Sequence, residues 1–207
     1  MSCDCADGFR LSDYSRWIML SCIALLLGCS SGVDPISIHD PSVPTADRRL
    51  IADGQDRVAV ARAQYDEASA ELVRMEQWHR QINRHSTWPD GTSALVTTLH
   101  QLLDARTDLL ELQAERAAIE IDVAEAELEL LVARVAVRND RAVYDLEDIR
   151  DAVDDEKEEA RQLDREIMQQ MERLDQVTQQ WWNDYSSFAR GGGDVTPFYV
   201  VFDRPRR

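Results

Sequence analysis

Glu76-x-x-His79 is the nearest this sequence comes to metal or acid–base chemistry. Three residues apart on a helix, a carboxylate and an imidazole share one face and can hold one ion. A di-iron bundle needs two such motifs and two further Glu, and neither His85 nor His100 supplies the second copy. Nine acids between Asp145 and Glu159, against Arg150 and Lys157, form the other concentration of ionisable groups. They lack the spacing and the Gly of a calcium loop. Pairs such as Glu147–Asp151 and Asp155–Glu159 put like charges at i, i+4, the mark of a solvated acidic face. The sequence contains no Ser/His/Asp or Cys/His set and no phosphate-binding Gly loop. It predicts no catalytic residue, no metal, no small-molecule substrate and no enzyme.

The aromatic residues point elsewhere. Trp181, Tyr185 and Phe188 recur at i, i+4 and i+7, with Trp182 beside them. They make either a packed helix end or a docking patch, since aromatics concentrate in interface hot spots. Beyond Gly191–Gly193 comes a β-prone run that includes Phe198, Tyr199 and Phe202. One strand cannot satisfy its own backbone, so this tail either adds to a partner's sheet edge or packs extended along the helices. These seven aromatics are the candidate partner-docking residues.

The elements that must position them are helices. Thr92 to Arg190 contains neither Gly nor Pro, the strongest helix interrupters. Before it, Ile51, Val58, Tyr65 and Leu72 fall in one heptad register, and Ala61, Ala68, Met75 and Ile82 in the other, with Gly54 and His79 in the two remaining places. Pro89-Asp90-Gly91 turns the chain between the two helical stretches. A short connection favours antiparallel neighbours. Counting outward, Ile82 should face about Leu95, and Ile51 about Ala124 or Glu125, so that the first helix runs out near Leu131. The expected domains are a leader, 1–28; a tether, 29–46; a helical domain, 47–190, comprising helix 47–84, turn 85–91 and helix 92–190; and a Gly linker with β-prone tail, 191–207.

Asn139-Asp140 is the one place where the second helix could break. Heptad phase is kept across it: Leu128, Val135, Ala142 and Ile149 share one register, while Val132, Asn139, Leu146 and Val153 share the other. The expected fold is therefore all-α, a long antiparallel coiled-coil hairpin with an extended second helix. Its exposed extension would need another chain, and Asn139 would act as a register-setting polar seam residue. A turn at Asn139-Asp140 gives the alternative, a three-helix antiparallel bundle.

Residues 1–29 supply the setting. Arg10 and Arg16 precede the apolar run Trp17 to Leu27, which is too short to span a bilayer. Leu26-Leu27-Gly28-Cys29 follows, then Ser30. This segment resembles a bacterial lipoprotein signal peptide. The resemblance implies cleavage between Gly28 and Cys29 and acylation of Cys29, for example with palmitate. It also implies, with Ser30 after the Cys, a place on the outer membrane facing the periplasm. The covalent lipid is the only cofactor expected, and the bilayer is the expected partner through it.

The net charge of −16 disfavours nucleic acid as a partner. All four Cys lie at or before Cys29, so the remaining chain has no disulfide. The expected function is a membrane-anchored, non-enzymatic envelope scaffold or spacer, as a homo-oligomer or with an envelope protein partner. The alternative is an accessory subunit of an envelope transport or motility complex that docks through its aromatic helix end and C-terminal strand.

Overall fold

The computed structural model describes residues 36, 39, 41–84, 88, 92–141 and 144–201, with backbone alone for 199–201. The expected leader, with Gly28 and Cys29, lies outside these residues, as do most of the turn 85–91 and Phe202. The chain divides into two compact units, 1–36 and 37–207. The second unit is all-helical. It consists of α1 (Thr45–Arg84), α2 (Ser93–Arg138), α3 (Leu146–Arg190) and a short 3-10 segment, Thr196–Val201. Each long helix measures roughly 60–70 Å at 1.5 Å per residue.

Helix α1 buries the seam that its heptads specify: Ile51, Gly54, Val58, Ala61 and Ile82 are all buried. A Gly inside a helix costs about 1 kcal/mol relative to Ala. At Gly54 close packing accounts for it, because a Cβ there would lie 2.9 Å from Leu128 Cδ1. The antiparallel pairing of α1 with α2 is offset by about one heptad from the expected register. Val58 and Ala61, not Ile51, pack on Ala124, and Gly54 lies against Leu128. Helix α1 therefore does not run out near Leu131. Its first turn reaches the last turn of α2, where Arg138 Nη1 donates to Asp47 Oδ1 at 2.7 Å.

The expected uninterrupted helix over 92–190 is two helices here. Helix α2 stops at Asn139, whose backbone N–H still reaches Val135 O at 3.1 Å. Asp140 then takes a left-handed backbone, φ 52°. The Asn139 side chain donates to Val135 O at 2.8 Å and to Asp47 Oδ2 at 3.0 Å. It closes a helix end instead of setting register in a two-chain seam. Asp145 opens α3, its carboxylate accepting the N–H groups of Glu147 and Asp148. Three acids at a helix N-terminus also suit the helix dipole.

Helix α2 carries the packing, because α1 and α3 both lie along it. This explains its breadth of buried apolar residues, from Leu95 and Leu99 to Val135 and Ala136. Burying a Leu or Val side chain contributes about 1.5–3 kcal/mol. The helix pairs are also laced by Arg62–Glu125 at 2.6 Å, Arg116–Asp164 at 2.9 Å and Arg173–Asp108 at 3.1 Å. Such exposed pairs contribute at most about 1 kcal/mol each, so they specify register more than they stabilise. The arrangement fits the three-helix alternative.

Candidate functional site

The aromatic residues singled out in the sequence converge where the start of α2 meets the ends of α1 and α3. Trp181 and Phe198 are buried with Ile82, Leu95, Leu99, Leu102 and Leu103. Trp181 stacks on Tyr185 with ring centroids 5.2 Å apart. Trp182 meets the edges of both, at 5.2 and 5.7 Å. Phe188 packs against the same cluster.

The tail enters this cluster, but not as a strand or an extended segment. Among the described residues Thr196–Val201 is 3-10, and Phe198 is fully buried. Pro197 fixes its own φ and removes a donor, which suits a tight turn. Asp194 caps that turn by accepting the Thr196 N–H at 3.0 Å, and hydrogen bonds from Thr196 hold its carboxyl below the usual range. Phe198 stacks on Trp88 at 4.9 Å and meets Phe188 edge-on at 6.3 Å. Gly193 makes the fold-back possible, since any side chain there would overlap the Phe188 ring. The side chain of Tyr199 lies outside the described residues.

The cluster sorts the candidates. Trp181 and Phe198 are enclosed, whereas Trp182 is 46% exposed. Met168 and Met171, 65% and 50% exposed, occupy the same helix. They precede Trp182 by roughly four and three helical turns, so the three residues share one outward face of α3. The Met pair was missed in the sequence. Its signal was two large apolar residues outside the seam formed by the buried Leu163 and Gln170 and the partly buried Leu174 and Val177.

Acidic residues meet along the α2–α3 contact. Burial raises the carboxyl pKa of Glu156, and Asp122, Glu159 and Asp155 add to the rise. Burial likewise raises Asp122, reinforced by Glu125 and Glu159. Lys157 offsets the nearby charge of Glu127 at 2.6 Å. Elsewhere burial raises Glu111, with Asp108 and Glu76 adding to it. Burial opposes the charge on Arg116, but its hydrogen bonds to Glu120 and Asp164 outweigh that, and the net shift is upward.

His79 lies 3.6 Å from Asp104, with its ring centroid 6.4 Å from that of His100. Among the described residues no group of three His, Cys, Asp or Glu is placed to hold a metal. No family model, curated protein or solved structure matches this chain.

Proposed function

We propose that the chain is a lipid-anchored, non-enzymatic helical scaffold of the bacterial envelope, with its helical body folded as a three-helix antiparallel bundle. On this reading the bilayer is contacted by acyl chains on Cys29, and the helical body is not itself inserted. No described helix is long and apolar enough to cross a membrane. The observation that carries the scaffold reading is the outward face of α3. Met168, Met171 and Trp182 stay exposed beside a closed aromatic cluster. Met adapts to varied surfaces and Trp is a frequent interface anchor. That combination suits a helical or flat protein partner.

Two arms test the proposal. Membrane fractionation should find the intact chain with the envelope and Cys29→Ala in the soluble fraction; co-fractionation of the two would end the lipid-anchor reading. A photo-crosslinking amino acid at position 182 should give one defined adduct that a charge at Met171 abolishes. A ladder of unrelated adducts, or none, would end the docking reading. The accessory-subunit alternative shares the Trp182 face. Strand donation is not favoured, because it would require withdrawing Phe198 from the core.

A further inference from the structure

A cleft of about 440 Å³ lies between all three helices, on the part of the body away from the aromatic cluster. Its apolar lining includes Gly54 on α1, Leu128 and Leu131 on α2, and Val153 on α3. Gly54 lets α1 approach α2 closely along the wall of the cleft: a Cβ there would lie 2.9 Å from Leu128 Cδ1 and 3.4 Å from Leu131 Cδ2. The volume falls within the range of roughly 300–1,000 Å³ typical of small-molecule sites.

Charge says what kind of molecule would fill it. Arg57, Arg134, Arg150 and Lys157 all line this one cleft, in a chain whose net charge is −16. Three acids, Asp53, Glu127 and Asp154, share the lining. Glu127 serves two of the bases, at 2.6 Å from Lys157 Nζ and 3.6 Å from Arg57 Nη1. Among the described residues, Arg134 and Arg150 carry no ion pair. A bare anion would leave the apolar lining uncovered. A neutral hydrocarbon would make no use of these two exposed guanidinium groups, and Arg is well suited to carboxylate recognition.

We propose that this cleft binds a single-chain fatty carboxylate, with the alkyl chain against Leu128, Leu131 and Val153 and the carboxylate at Arg134 and Arg150. The sequence alone predicted no small-molecule ligand. The four bases come from three helices, and only the fold brings them together. The inference is independent of the scaffold reading.

The test is calorimetric titration of the full chain carrying Cys29→Ser, which has no acyl group at that position, with decanoate below its micellar concentration. One decanoate should bind per chain. Shortening the acid to octanoate should weaken binding by roughly fourfold per methylene removed. Decanol and acetate should each bind at least tenfold more weakly than decanoate. The exposed pair Arg134→Glu and Arg150→Glu, made together, should weaken decanoate at least tenfold with the helical circular dichroism unchanged. Equal binding of decanol would reduce the site to an apolar groove, and equal binding of acetate or inorganic phosphate to an anion site. Either result overturns the proposal, as does the absence of decanoate binding at millimolar concentration. The comparison with decanol uses unaltered Arg residues, so the proposal is exposed to failure even if the double variant does not fold.

Discussion

Asn139 Nδ2 donates to Asp47 Oδ2 at 3.0 Å, between residues 92 positions apart. The bond ties the last turn of α2 to the first turn of α1, just where the chain turns toward α3. Asp47 is 3% exposed and also accepts from Arg138 at 2.7 Å. Removing one partner of a buried polar group costs about 1–3 kcal/mol. Asp47→Ala and Asn139→Ala should each lower stability by about that amount in denaturant titrations. Their double variant should fall short of the sum, because both remove the same hydrogen bond.

The neighbouring backbone gives a sharper probe. Asp140 has φ 52°, a conformation that Asp tolerates and β-branched residues do not. Asp140→Val should cost about 1–2 kcal/mol, while Asp140→Gly should leave stability within about 0.5 kcal/mol or raise it. Thermal melts of the two variants check this. Equal effects would mean that the turn is not held in this conformation.

Phe198 is fully buried against Trp88 and Trp181. Phe198→Ala should destabilise by about 3–5 kcal/mol, the range for large aromatic truncations in cores. The tryptophan fluorescence of the folded protein should shift to the red as water reaches Trp88. An unchanged melting temperature would place the tail outside the core.

Acid should favour the α2–α3 contact. The carboxyls of Asp122 and Glu156 titrate higher in the folded chain than in the unfolded one. The folded state therefore binds more protons, and stability from these groups increases as pH falls from neutrality through their raised values. Glu156→Gln should stabilise the neutral-pH protein by a few tenths of a kcal/mol, on the order expected for partly exposed charges. That advantage should vanish below about pH 4, where the unfolded-state Glu is also protonated. Paired denaturation curves at several pH values measure it.

Three helices of roughly 60–70 Å side by side also predict a size. The chain lacking residues 1–28 should scatter as a monomer, with its helical body well short of the roughly 150 Å that an unbroken helix over 92–190 requires. A dimer or trimer of that length in small-angle X-ray scattering would restore the extended hairpin.

Much of the helical body was legible in the sequence. The Gly- and Pro-free stretch gave helices, and the heptads of α1 named Ile51, Val58, Ala61 and Ile82, all of them buried. The break after Arg138 was harder to read. Both flanking helices pack on α1 or α2 with the same seven-residue repeat, so phase passes through the turn without a fault. A local signal was available: Asp145 followed by Glu147 and Asp148 is a helix start, yet it was absorbed into the reading of an acidic face. Side-chain periodicity does not encode the register of α1 against α2, because a shift by one heptad keeps the same kinds of residue in the seam. The β-prone tail misled because propensity describes a strand that has neighbours. No described strand is available to it, and the aromatic pocket offered Phe198 a better place. The basic cleft was invisible because Arg57, Arg134, Arg150 and Lys157 are scattered along the sequence.

The burial of Phe198 also bears on the order in which the protein can assemble as it is made. A growing chain has α1 and α2 complete while Trp181 and Phe198 are still unmade. During that interval Leu95, Leu99, Leu102 and Leu103 lack part of their eventual cover. A hairpin of α1 and α2 formed at that stage would carry a leucine-rich stripe open to water and to any binder of nascent chains. Only when the segment 110 residues beyond Trp88 emerges can the stripe be sealed.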